Sequence, residues 1–164
     1  MRTSTTNQLE FSFIEKEEQF TVTRPLLKHR MLSSLLRKLH YVRRFFPELD
    51  GVSIRVGLTR VASGMAVPGG HELWINPAQI SYHTLAHELV HLLQGSHNIP
   101  TGERSCDVYA MARHWTLNDA QPYYVKLPSG YLTANGKIRP ECAKLVFSTA
   151  REAIEKRNSG VRNY

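Results

Sequence analysis

Two stretches of alternating apolar and polar residues predict neighbouring β-strands near the middle of the chain. Residues 52–59 place an apolar side chain at every second position: Val52, Ile54, Val56 and Leu58. Such alternation is typical of a strand with one face in the core. Residues 71–77 predict a second strand, which ends at Pro77. The segment 64–70 between them begins and ends with glycine and predicts a loop or a hairpin.

The two ends of the chain have weaker patterns. Residues 9–24 carry apolar pairs on either side of a charged middle, at Phe11 and Phe13 and at Phe20 and Val22. This arrangement predicts a strand or a hairpin. Residues 158–164 contain no apolar stripe, and we expect them to form a flexible tail.

Helical periodicity appears in the regions outside these strands. Residues 24–46 have an apolar stripe with helical spacing: Met31, Leu35, Leu39, Val42 and Phe46. We expect one long amphipathic helix there, ending before Pro47. Residues 139–157 predict a last helix, in which Leu145, Ile154 and several alanines form a weaker stripe.

A pair of helices is predicted in the second half of the chain. The segment 81–95 has a stripe formed by Leu85, Leu89, Leu92 and Leu93. Ser81 is a suitable N-cap for this helix, and Gly95 falls where a C-terminal glycine is favoured. Proline and glycine mark a short loop over 95–102, and Thr101 can cap a further helix. A loop this short favours an antiparallel pair.

Together these elements predict a single α+β domain over residues 1–164. A small twisted sheet would pack against the helix pair, with further helices near the N-terminus and the C-terminus. The chain has 164 residues, of which 41% are hydrophobic and 21% charged, and this is typical of one globular domain with a sizeable core.

Composition and charge narrow the classes of function. No apolar run approaches the length of a membrane span, and the first residues lack the apolar segment of a signal peptide. We therefore expect a cytoplasmic protein without a membrane partner. The two cysteines, Cys106 and Cys142, do not form a disulfide framework, and we expect both to be reduced.

The formal net charge of +7 is concentrated in the predicted helix 24–46. No acidic residue occurs between Gln19 and Pro47, and Arg30, Arg37 and Arg44 repeat every seven residues. A basic face of this kind can bind nucleic acid or an acidic partner. The favoured interpretation is a solvated face on a helix whose other side packs in the core.

The helix 81–95 contains the sequence His87-Glu88-x-x-His91. Two histidines at i and i+4 lie on one face of a helix, where both neutral imidazoles can bind a single zinc ion. Glu88 follows the first histidine and can take a proton from a water activated by the metal. The alternative is an amphipathic helix with surface histidines.

Acidic residues of the next helix complete the predicted site. Glu103 falls in its first turn, so that a carboxylate can become the third ligand and leave a fourth metal position open. Asp107 lies four residues later on the same face and can accept the N–H of a ligating histidine. Cys106 is a weaker ligand candidate because it points off that face. His83 is disfavoured because three histidines in line along a helix cannot all reach one ion.

His-Glu-x-x-His followed on the next helix by Glu103-x-x-x-Asp107 resembles the gluzincin clan of zinc metallopeptidases. The short spacing and the sequence Thr-Gly-Glu-Arg-Ser-Cys-Asp resemble the minigluzincins, which are minimal, archaeal-type scaffolds, and the resemblance extends over residues 81–115. It implies a zincin-like fold, one Zn²⁺ per chain and endopeptidase activity on peptides or unfolded proteins. It also implies that the strand before the metal helix lies at the sheet edge and binds extended peptide.

The resemblance has two further implications. Gluzincins supply a transition-state hydrogen-bond donor from outside the two motifs, and six residues remain open for this role: His71, His97, His114, Tyr123, Tyr124 and Tyr131. Minigluzincins resemble latent enzymes whose C-terminal segment occupies the cleft. Here that segment would contain Arg162 and Tyr164.

Two other functions fit parts of the pattern. A DNA-associated metalloprotease of the SprT-like kind would use the basic helix, but such proteins usually take a third histidine where this chain offers Glu103. A catalytically silent binding module would keep the zinc for its fold or for regulation without turnover.

Overall fold

The computed structural model describes residues 19–161, which form a mixed α+β fold. The strands are β1 (Phe20–Val22), β2 (Ile54–Leu58), β3 (Gly64–Ala66) and β4 (Glu72–Ile75). The helices are α1 (Arg24–Leu27), α2 (Leu32–Arg43), α3 (Tyr82–Leu93), α4 (Glu103–Met111) and α5 (Pro140–Asn158). Short 3₁₀ turns occur at Pro47–Leu49, Trp115–Leu117 and Ser129–Tyr131. The predicted roles of Phe11, Phe13, Arg162 and Tyr164 concern positions outside the described residues.

The four strands form one sheet in the order β1-β2-β4-β3. β1 and β4 both pair with β2 in parallel, whereas β3 pairs with β4 in the antiparallel direction. The strands predicted over 52–59 and 71–77 are confirmed, and the segment 64–70 begins a hairpin rather than a simple loop. The expectation that the strand directly before α3 lies at the sheet edge is wrong, because β4 lies inside the sheet and β3 forms the edge.

The single long helix expected over 24–46 is divided into α1 and α2. Between them the N–H of Met31 donates to Nδ1 of His29 at 3.2 Å. A local side-chain bond of this kind competes with helical hydrogen bonding and allows the chain to bend. The predicted end before Pro47 is close to the observed one, since α2 finishes at Arg43.

The core lies between the sheet and helices α2 and α3. Alternate residues of the inner strands are buried, among them Ile54, Val56, Leu73 and Ile75. They belong to one cluster with Leu35 and Leu39 of α2 and Leu85 and Leu89 of α3. A second, smaller cluster joins α4 and α5 through Met111, Val146 and Ala150. In α3, every residue after Tyr82 is buried, so this helix is held on all sides.

No helix within residues 19–161 is both long enough and apolar enough to cross a membrane.

Candidate metal centre

The start of helix α3 is fixed by two side chains. The hydroxyl oxygen of Ser81 accepts the N–H of Thr84 at 2.9 Å, as expected of an N-cap. The carboxylate of Asp119 accepts the N–H groups of Tyr82 and His83 at 3.1 and 3.0 Å. These bonds satisfy amides that have no partner inside the helix and place a negative charge at its positive end. The register of α3 against the rest of the molecule is thereby fixed.

His87 and His91 lie side by side on α3, with their ring centroids 5.0 Å apart. They are 3% and 7% exposed, which excludes the alternative of surface histidines. Glu103 enters from the first turn of α4, and its Oε2 lies 3.0 Å from Nε2 of His87 and 3.2 Å from Nε2 of His91. The three residues predicted as ligands from their spacing are therefore brought together at one point.

The other ring nitrogens of both histidines face oxygen acceptors. Nδ1 of His87 is 2.8 Å from Oδ1 of Asp107, and Nδ1 of His91 is 2.9 Å from Oε1 of Gln94. Donation from Nδ1 leaves each neutral imidazole with its lone pair on Nε2. In these tautomers two lone pairs and the carboxylate of Glu103 converge, and such a group of acceptors could hold a cation.

The two distances between Glu103 and the histidines are also compatible with a metal ion. Zinc bonds of about 2.0–2.2 Å in a tetrahedron separate neighbouring ligand atoms by about 3.3 Å. The carboxylate oxygen of Glu103 is close to that separation from both Nε2 atoms. Burial opposes protonation of His87, but the hydrogen bond and charge of Asp107 outweigh it, so the pKa of His87 lies above its ordinary value. Either a proton or a metal ion on Nε2 of His87 would place positive charge opposite the carboxylate of Glu103.

Among the described residues, two buried groups have ligand atoms within 4.8 Å of one another and could hold a metal ion, and neither group includes Glu103. They are His87, His91 and Cys106, and His83, His87 and Asp107. Sγ of Cys106 lies 3.3 Å from Nδ1 of His91, so it approaches the opposite nitrogen from Glu103. Burial raises the pKa of the Cys106 thiol, which disfavours the thiolate that a metal would need.

Asp107 connects the site to the segment that follows the 3₁₀ turn Trp115–Leu117. Its Oδ1 is 2.8 Å from Nδ1 of His87 and 3.2 Å from Nε2 of His83, and its Oδ2 accepts the backbone N–H groups of Tyr124 and Val125. Burial would raise the pKa of Asp107, but the hydrogen bonds from His83 and His87 hold it well below its usual range. Asp107 is therefore an ionised acceptor with four donors, in line with its predicted role.

The pKa of Glu88 is shifted in the opposite direction from that of Asp107. Its side chain is buried, and burial together with the charge of Glu103 raises its pKa to about 7, although His87 lowers it in part. The edge strand passes directly over it, because a Cβ added to Gly64 would lie only 2.7 Å from Cγ and Oε1 of Glu88. A carboxyl group with a pKa near neutrality can accept and return a proton at physiological pH.

A cleft of about 540 Å³ opens above these residues. One wall is the edge strand and its flanking residues, with small and apolar side chains. The rest of the lining consists of His87, Glu88, His91 and Glu103, together with Tyr123 and Tyr124. The half-exposed carboxylate of Glu103 is directed into this space, so the site is accessible to a ligand.

The six candidates for a transition-state donor differ in whether they line this cleft. Tyr123 and Tyr124 line it, with ring centroids 6.3 Å from that of His87, and both are more than half exposed. The charge of Glu103, with some desolvation, raises the pKa of Tyr124, so its phenol stays protonated at neutral pH.

The other four candidates lie elsewhere. His97 faces a separate small pocket beside Glu48, and His114 stacks on Phe45 with ring centroids 4.5 Å apart. Tyr131 packs against the second core cluster, and His71 is exposed outside the cleft lining.

Sequence reasoning missed Gln94, which contacts His91 directly. The one available signal is its spacing, because a residue three positions after His91 lies on the same side of the helix. Polar residues at such a spacing are common on helices, so the contact could not be predicted without the fold.

Comparison of the chain with protein-family models, with curated proteins and with solved structures gave no match.

Proposed function

We propose that this protein is a zinc metalloendopeptidase of the gluzincin kind, with a zincin-like fold resembling the minigluzincins. The observation that carries the proposal is the convergence of Nε2 of His87, Nε2 of His91 and Oε2 of Glu103. Asp107 and Gln94 hold the opposite nitrogens of the two histidines, so that the lone pairs are directed to one point. Two imidazoles and one carboxylate are a typical ligand set for catalytic zinc.

A zinc ion bound by these residues would supply a Lewis acid that activates water at neutral pH and polarises a peptide carbonyl. Glu88 takes the proton of the attacking water and passes it to the leaving amine. Its burial and its pKa of about 7 suit both halves of this transfer. Asp107 keeps His87 in the Nδ1–H tautomer throughout.

The edge strand offers a means of holding an extended peptide. The carbonyl of Ser63 and the N–H of Val67 bond towards β4. Because donors and acceptors alternate along an antiparallel pair, the N–H and C=O groups of Gly64 and Ala66 point away from β4. A substrate strand can pair with them by β-augmentation directly above Glu88. This arrangement favours unfolded or extended polypeptide over folded protein.

Tyr123 and Tyr124 are the proposed hydrogen-bond donors to the oxyanion. Both line the cleft, and the backbone N–H of Tyr124 donates to the carboxylate of Asp107 at 2.6 Å. An anchored backbone limits the region that the phenol can reach and reduces the reorganisation needed during the reaction.

The proposal of a DNA-associated enzyme has less support from the geometry. Glu103 approaches both histidines, and no third histidine of the described residues does so. Part of the basic run is also engaged inside the protein: Arg43 is buried and donates to the carbonyl of Leu49, and Lys38 donates to the carbonyl of Ile80. These contacts favour the interpretation of α2 as a packing helix.

The test compares zinc-loaded wild type with Glu88→Gln on a fluorescently labelled, denatured protein. We expect the variant to keep its zinc and to lose about 100-fold or more in kcat/KM, because it cannot accept a proton. Glu72→Gln on β4, outside the cleft lining, is the matched control and should cleave like wild type. Undiminished cleavage by Glu88→Gln would contradict the proposed role, and zinc-loaded wild type without any cleavage would favour a silent binding module.

A further inference from the structure

Gln94 contacts one proposed ligand, His91, and the segment that leads to another, Glu103. It caps the C-terminal end of α3 and is 4% exposed. Its Oε1 is 2.9 Å from Nδ1 of His91, and its Nε2 donates to the carbonyl oxygens of Pro100 and Gly102 at 2.8 and 3.2 Å. All three polar contacts of this buried amide are thus within the protein.

The two carbonyl groups determine which way the amide faces. A backbone carbonyl can only accept a hydrogen bond, so the NH₂ group of Gln94 must face Pro100 and Gly102. The oxygen of the amide then faces His91, and it can only accept. Nδ1 of His91 must therefore carry a hydrogen, and in the neutral ring the lone pair falls on Nε2, towards Glu103.

A second partner of His91 would favour the opposite arrangement. Sγ of Cys106 lies 3.3 Å from the same Nδ1, and a thiol can donate to an unprotonated nitrogen. That bond would move the ring hydrogen to Nε2, where it would block a metal ion. The amide of Gln94 opposes this outcome, because its oxygen requires a donor on His91.

The same amide also fixes the entry to α4. Gly102 directly precedes Glu103, and its carbonyl accepts the N–H of Cys106 at 3.3 Å in the first turn of the helix. Gly102 has a φ of 104°, a left-handed conformation that side chains rarely adopt. The hydrogen bonds from Gln94 to Pro100 and Gly102 hold this segment and therefore the position from which Glu103 enters the site.

We propose that Gln94 is a positioning residue that prepares two ligands at once. Its oxygen keeps His91 in the Nδ1–H tautomer, and its NH₂ group holds the segment that delivers Glu103. The inference rests on the proposed metal site and adds to it a coupling between the two helices. It also explains why His91 faces a neutral amide where His87 faces a carboxylate, since a carboxylate at position 94 would meet two carbonyl oxygens.

Two substitutions separate the two effects. Gln94→Met keeps the length of the side chain and removes both its acceptor and its donor. We expect a shift of His91 towards the Nε2–H tautomer and a loss of about 10- to 100-fold in zinc affinity. Gln94→Glu keeps an acceptor for His91 and removes the donor, so the tautomer should remain while the affinity for zinc falls. Gln79→Met, at an exposed glutamine outside the site, is the control and should change neither property.

The tautomer is measured in the metal-free protein by ¹⁵N NMR of the histidine rings at about pH 8, above the ordinary imidazole pKa of about 6.5. Zinc affinity is measured separately by competition with a chromophoric chelator. A wild-type His91 in the Nε2–H form would overturn the inference, even if no variant folds. Gln94→Met with an unchanged tautomer and unchanged affinity would overturn it as well. Failure of wild type to bind zinc would instead count against the proposed function, because the tautomer is observed without the metal.

Discussion

Asp107 and Glu88 are buried carboxyl groups of the same site, yet their pKa values move in opposite directions. Asp107 has four N–H groups directed at its two oxygens, which stabilise the charged form. For Glu88 burial is the largest influence, and burial favours the neutral form. One group is thereby suited to orient a ligand and the other to exchange a proton.

The raised pKa of Glu88 predicts how the metal-free protein responds to pH. In the folded state its pKa is about 7, whereas an unfolded chain has a value of about 4.3. Glu88 therefore binds more protons in the folded state between these values, and its own contribution to the free energy of unfolding falls as the pH rises through this range. Glu88→Gln removes this loss, so we expect the variant to gain about 3 kcal/mol relative to wild type between pH 4 and pH 8.

Urea unfolding of both chelated proteins at a series of pH values measures this effect. Glu72→Gln should follow the wild-type curve, because its carboxylate is exposed beside Arg55. Parallel pH profiles for wild type and Glu88→Gln would show that Glu88 titrates normally and would remove the argument for its role as a proton acceptor.

At the scale of single residues, the spacing of the two motifs was enough to select the main candidate residues of the site. Helical geometry, which operates over a few residues, places His87 with His91 and Glu103 with Asp107, whereas the meeting of the two pairs was expected from the short loop and the resemblance. The contacts of Gln94 with Pro100 and of Asp107 with the N–H of Tyr124 depend on how loops return to the helices. Hydrophobic periodicity does not predict where a loop contacts a helix, so these partners could be identified only from the structure.

The edge strand β3 is the element that brings the backbone close to Glu88. It contains three residues, too few for an alternating pattern, and the sequence therefore predicted only a loop or a hairpin there. Its register with β4 pairs Gly64 with Ile75, and this places a residue without a side chain above the carboxyl group of Glu88.

Gly64→Ala should separate metal binding from catalysis. The added Cβ would overlap the side chain of Glu88, so one of the two must move away from the cleft. We expect zinc content to remain at the wild-type level and kcat/KM to fall about 10-fold or more, since a small displacement of a catalytic group is costly. Gly130→Ala is the matched control, because a Cβ there meets no atom within 4 Å.

Zinc analysis and peptidase assays on both glycine variants check this prediction. Equal activity of Gly64→Ala and Gly130→Ala would mean that the close approach of β3 to Glu88 has no catalytic consequence. A loss of zinc in Gly64→Ala alone would show that the edge strand supports the metal site itself.

The whole molecule holds α3 as a central, buried element between the sheet and α4. The α+β class and the helices and strands of the site were predicted, because long apolar stripes and clear alternation indicate them. The division of α1 from α2 and the inner position of β4 were not predicted. The first depends on a side-chain bond at His29 and the second on strand order, and neither is expressed in hydrophobic periodicity.

The central claim is that His87, His91 and Glu103 form one zinc site across two helices. Elemental analysis of purified wild type, Glu103→Gln and the exposed control Glu141→Gln tests it most directly. We expect one zinc per chain in wild type and in the control, and a sharp loss in Glu103→Gln, because an amide oxygen is a much weaker ligand than a carboxylate. Zinc-free wild type prepared with zinc present, or full zinc content in Glu103→Gln, would contradict the claim.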